Sequence, residues 1–174
     1  VAMLESLPPI LWYVVGAAIA LAIPNGKVRA WAMLLIPMVS IWQLLSVGHG
    51  EHIQIPFLDY TLTLFRVDKL SFVFGLIFNI AAFLSLLYAW HVRDPLQQVM
   101  TLLYAGAAIG AVFAGDLITL FIFWEGTAIT SVFLIWARGT EGAFHTGMRY
   151  LVIQVGSGVL LLAGALLLVR DTGS

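Results

Sequence analysis

From Leu70 to Trp90 the chain carries no charged residue, and residues 95–114 and 117–137 carry only one between them, Glu125. Runs of this length have few possible structures. In hydrocarbon every backbone N–H and C=O must be satisfied within its own segment, so an apolar run of about 20 residues reads as an α-helix crossing about 30 Å. Six such runs are present, at roughly 10–23, 30–47, 70–90, 95–114, 117–137 and 149–169. The first is short and relies on its flanks. It ends at Pro24-Asn25-Gly26, a strong turn signal. The second carries Pro37, which a buried membrane helix tolerates.

Composition agrees with the runs. The 174 residues are 61 % hydrophobic and 10 % charged, against about 25 % charged in a soluble domain. The fold class predicted is an all-α integral membrane domain spanning residues 1–174, without linker or internal repeat. A net charge of −1 offers no basic patch to displace counterions, so nucleic acid is not an expected partner. Cysteine is absent, which excludes disulfides, thiolate metal sites, iron–sulfur ligation and cysteine nucleophiles.

Local signals refine the picture. Asp94 followed by Pro95 marks the start of the fourth helix, as N-cap and first helical residue. Only Gly115-Asp116 separates the fourth and fifth runs, so those helices are expected to pair antiparallel. The stretch from Gly48 to Lys69 is too polar to span. Within it, IQIPFL and YTLTLFRV alternate about Asp59, which predicts a short β-hairpin on the membrane surface between the second and third helices. One set of connections carries Lys27, Arg29, Arg93, Arg138 and Arg149; the other carries Arg66, Lys69 and Arg170. The excess of positive charge places the first set inside, with both termini on the outer side of a cell (inner) membrane.

Glu125 is the residue that stands apart. It lies midway along the fifth run behind Phe121, Phe123 and Trp124, where a charge costs at least ~2.5–3.5 kcal/mol. Spacing at 100° puts Ile118, Phe121, Ile122, Ile129, Val132 and Trp136 on its face. Thr119, Thr127, Thr130 and Ser131 fall elsewhere, so no partner comes from its own helix. Such a carboxyl either ties helices together or takes up and releases a proton within the membrane, and intramembrane ionisable groups are functional by default. The Thr/Ser face reads as helix packing, with hydroxyls bonded back to the preceding turn.

Other polar residues admit ordinary explanations beside functional ones. Asp116 is an N-cap of the fifth helix, or a carboxylate at the mouth of a pathway. Asp68-Lys69 opens the third helix as a cap or boundary ion pair, or belongs to a site shared with a neighbouring subunit. His49, Glu51 and His52 cluster on the surface, but two imidazoles without a further ligand make no metal site. No histidine falls within a run, so neither a bis-histidine haem nor an intramembrane serine protease built on Ser157 is expected. No cofactor is predicted. His145, just before the sixth run, and Arg149, at its start, are interfacial residues or a proton relay toward the interior. Gln154 offers a water or helix contact, and Gly156-Ser157-Gly158 reads as close packing.

Three stretches resemble a known family in order and spacing. GDLITLFIFWEGTAITSVFLI (115–135), RVDKLSF (66–72) and MRYLVIQVGSGVLLLAGALLL (148–168) are similar to the antiporter-like, proton-conducting membrane subunits of Mrp-type Na+/H+ antiporters, respiratory complex I and membrane-bound hydrogenases. The resemblance implies inverted helical repeats, each with a half-channel, and a polar axis along the midplane. It also implies that Glu125 is the glutamate essential for translocation, paired with a lysine on a broken seventh helix. The six runs stop short of that helix, and Lys27 and Lys69 lie near the membrane surfaces. The chain, which starts at Val1, is therefore expected to be an N-terminal portion that does not transport alone.

A second chain would then supply the lysine helix. The expected role is a subunit of a multi-subunit Na+/H+ antiporter, with protons and Na+ as its ions and other membrane subunits as partners. The alternatives are a proton-pumping module of a redox complex without a redox site of its own, a non-catalytic assembly subunit, or a stand-alone carrier.

Overall fold

A computed structural model describes residues 7–173, leaving out the side chains of Glu51 and His52. Among the described residues, six helices and one hairpin follow in chain order: α1 (Ile10–Ala22), α2 (Gly26–Ser46), β1 (Gly50–Phe57), β2 (Tyr60–Val67), α3 (Lys69–Tyr88), α4 (Pro95–Val112), α5 (Leu117–Trp136) and α6 (Glu141–Thr172). The expected helical membrane fold, with a hairpin between the second and third helices, is the one observed.

Two helices depart from expectation. Helices α2 to α6 are each long and apolar enough to cross a membrane, whereas α1 has 13 residues and covers only about 20 Å. In the other direction, α6 begins at Glu141 rather than near 149 and runs for 32 residues, about 48 Å. Gly139, at φ 74°, turns the chain after α5, and the Thr140 side chain accepts the Ala143 N–H at 3.0 Å. The polar residues from Glu141 to Arg149 resemble a loop by hydropathy. A capped helix, however, has no reason to stop where hydrocarbon stops. His145 and Arg149 are therefore helical residues.

The main core lies among α1 to α4 and β2. Tyr13, Leu44, Phe65, Leu102, Ile109 and Phe113 are almost fully buried in it. Several polar groups inside it are paired, as a buried polar group in hydrocarbon favours, although the Ser40 hydroxyl is buried without a hydrogen-bond partner among the described residues. Tyr13 donates its hydroxyl to Asn79 Oδ1 at 2.7 Å, and Asn79 Nδ2 donates to Gly75 O at 2.8 Å. Trp12 Nε1 donates to Gln43 Oε1 at 2.7 Å. Helix α4 packs against α1, α3 and α5, and α6 packs chiefly against α5. Consequently α5 and α6 flank the core and keep much apolar surface exposed, including Val152, Ile153 and Leu160 on α6.

Arg29, read from the sequence as a connecting-segment cation, is instead buried in the first turn of α2. Its guanidinium donates to Ile23 O at 2.8 Å, Ala20 O at 3.1 Å and Gln98 Oε1 at 3.1 Å. The positive charge meets the carbonyl end of α1, where the helix dipole favours it. Gln98 Nε2 in turn donates to Val92 O at 2.9 Å, so this cluster ties the α1–α2 turn to the start of α4.

The hairpin closes through the two-residue turn Leu58-Asp59, pairing Phe57 with Tyr60 and Gly50 with Val67 around an irregularity at Ile53. Strand β2 docks on the α4–α5 reversal. Arg66 N donates to Phe113 O and Gly115 N to Thr63 O, both at 2.9 Å, and the Phe65 and Phe113 rings meet edge to face at 5.5 Å. Position 115 has no room for a side chain, because a Cβ there would lie 2.5 Å from Thr63 Cγ2.

Candidate functional site

Helix α5 is fixed at its start by Asp116. Oδ1 accepts the Thr119 N–H at 2.8 Å, and Oδ2 accepts both the Thr119 hydroxyl and the Thr63 N–H at 2.7 Å. Asp116 is thus the cap anticipated from the sequence and, in addition, the lock between hairpin and helix. Asp68 caps α3 in a reciprocal box with Ser71, each accepting the other's backbone N–H at 2.8 Å. The Ser71 N–H, the largest influence on it, holds the Asp68 carboxyl below the usual carboxylate range.

From this start α5 runs antiparallel to α6 in a readable register. Gly147 faces Trp136, which also stacks on Phe144 at 6.0 Å. Ser131 Oγ and Tyr150 OH share a hydrogen bond of 2.7 Å. One stage further, Glu125 faces Gly158. Most hydroxyls of α5 bond back along the helix: Thr127 to Trp124 O at 2.6 Å, Thr130 to Gly126 O at 2.8 Å and Ser131 to Ala128 O at 2.9 Å. They leave Glu125 to its own face.

The Glu125 carboxyl lies over the backbone of α6. Its Oε1 is buried and has no hydrogen-bond partner among the described residues. A Cβ placed on Gly158 would overlap that oxygen outright, so the carboxyl fills the space the missing side chain leaves. A buried, unbonded carboxyl oxygen is costly. Its chemistry is limited to holding a proton or meeting a cation or water.

The remaining candidates are spread along α6. Gln154 is half-buried and one turn before Gly158, on the same face. Arg149 and His145 are exposed; at 1.5 Å per residue they lie about 14 and 20 Å from Gly158 along the axis. Lys27 and Lys69 stand in the first turns of α2 and α3, remote from the midpoint of α5. His49 stacks on Phe72 at 6.2 Å, while the Glu51 and His52 side chains grouped with it lie outside the described residues. Tyr150 and Gly158 were not foreseen as contacts of α5. The Gly-Ser-Gly run is the signal that points to Gly158, and general helix packing accounts for such a run equally well.

Known proteins share this part of the chain. Residues 114–174, which contain Asp116, α5 and α6, match the family model described as NADH:quinone oxidoreductase/Mrp antiporter, transmembrane. The chain is 31 % identical over 164 residues to the putative antiporter subunit mnhA2 of Staphylococcus epidermidis, covering 85 % of this chain and 20 % of that protein. It is 31 % identical over 161 residues to a Na(+)/H(+) antiporter subunit of Alkalihalophilus pseudofirmus, covering 83 % and 20 % respectively. The chain spans about a fifth of the length of these curated relatives.

Proposed function

We propose, for a multi-pass membrane chain that belongs over residues 114–174 to the NADH:quinone oxidoreductase/Mrp antiporter family, that it contributes the glutamate of a proton-translocating step in a multi-subunit cation/proton antiporter. Glu125 takes up and releases the proton. A cation from outside these six helices approaches the carboxyl and withdraws, alternately favouring its charged and neutral forms; without that alternation its occupancy is fixed and nothing moves. His145, nearer the inner surface, takes up and releases protons, and Arg149 and Gln154 orient water along α6 on the way toward Glu125. Na+ is the coupling ion, other membrane subunits are the partners, and both termini face outward.

The observation that carries this reading is the buried Oε1 of Glu125 at mid-helix, unpartnered among the described residues. A glutamate kept only to tie helices would be expected to bond a donor on α6, and Oε1 bonds none. The relatives named as antiporter subunits favour an antiporter over a redox-driven pump. The test is ion transport by the assembled complex carrying Glu125→Gln. Transport should fall to background with assembly intact; transport at the wild-type level would overturn the proposal and favour a non-catalytic assembly role.

A further inference from the structure

We infer that Gly158 is a positioning residue for Glu125: the absent side chain on α6 is the seat that sets where the carboxyl sits. This inference rests on the proposed role of Glu125. The geometry behind it is specific. A Cβ at 158 would overlap Glu125 Oε1 and lie 2.6 Å from its Cδ, and Gly158 is itself buried. At Gly156 and Gly164 on the same helix a Cβ would meet nothing within 4 Å. Helix packing in general therefore does not require all three glycines. Gly158 alone faces the carboxyl.

The clash also involves the far end of a flexible side chain rather than backbone. With alanine at 158, α5 and α6 can keep their register through Ser131–Tyr150 and Trp136–Gly147, and the carboxyl is what yields. Its carbon must retreat by ~1 Å to reach an ordinary contact distance. A reacting group misplaced by about 1 Å can lose on the order of 100-fold in rate. A shorter acid, aspartate, ends about one methylene earlier and would clear the new methyl.

The experiment uses the assembled complex with Gly158→Ala, Gly156→Ala, Glu125→Asp and the double variant Gly158→Ala/Glu125→Asp. Transport is read together with the infrared C=O band of the protonated carboxyl, assigned by its loss in Glu125→Gln. Gly158→Ala should assemble normally, lose on the order of 10- to 100-fold in transport and move the band; Gly156→Ala should do neither. Glu125→Asp should be less harmed by Gly158→Ala than wild type is. If Gly158→Ala leaves band and transport unchanged, or if its only effect is poor assembly with the band in place, the positioning role is wrong. If Glu125→Gln transports normally, the proposed function fails instead, while the band shift in Gly158→Ala still reports on the seat.

Discussion

Ser131 on α5 and Tyr150 on α6 meet through a 2.7 Å hydrogen bond, and this pair shares with Trp136 over Gly147 the register that brings Glu125 over Gly158. Its removal should loosen the helix pair without touching the carboxyl. A double-mutant cycle with Ser131→Ala and Tyr150→Phe, read by thermal unfolding of the complex, should give a coupling of about 0.6 kcal/mol and at most about 1.7.

Asp116 should prove structural. Asp116→Ala removes the cap of α5 and strands the Thr63 N–H that Oδ2 accepts, so a loss of about 1–3 kcal/mol is expected. Asp116→Asn, which keeps an acceptor, should be milder, and its transport per assembled complex should match wild type. Loss of transport in well-assembled Asp116→Asn would instead place this carboxylate on the ion path.

Arg29 makes a prediction about residue type. Its planar fork reaches Ala20 O, Ile23 O and Gln98 Oε1 together, and a lysine ammonium cannot reproduce that spread. Arg29→Lys should cost about 1.5–3 kcal/mol, with faster hydrogen exchange at the end of α1 and the start of α4. Unchanged exchange there would show the cluster to be dispensable.

Asp68 predicts a pH window. Its carboxyl titrates lower in the folded protein than in the unfolded chain because it accepts the Ser71 N–H. The stabilisation is therefore present in full above the unfolded value, about 3.9, and is lost as pH falls through the lower folded value. Unfolding midpoints of wild type and Asp68→Ala should differ by a constant amount from pH 7 to 5 and converge below about pH 4.

Much of the fold was legible because the bilayer leaves so few alternatives. Uncharged runs marked the helices, Asp94-Pro95 and Asp116 marked their starts, and alternation about Asp59 marked the hairpin. Hydropathy misled where a helix leaves the hydrocarbon: residues 141–148 look like a connection, yet Thr140 caps them into α6. It also counted Arg29 as a loop cation, since a charge satisfied by carbonyls is indistinguishable in sequence from one satisfied by water. Glu125 was visible as an expense. Its seat was not, because the contact joins residues 33 apart and one of them has no side chain to notice.

The bond between Thr63 and Asp116 also says something about how the molecule is made. The hairpin emerges from synthesis well before the residue that locks it, with α3 and α4 still to be inserted between them. Until then β2 has paired only with β1, and its other edge lacks the Phe113 and Gly115 backbone groups it will bond. Docking of the hairpin can therefore come only after the fourth helix has been threaded and the chain has reversed. It serves as the closing step of this half of the molecule, and a protease acting on nascent chains should find the hairpin open until residue 116 has cleared the membrane.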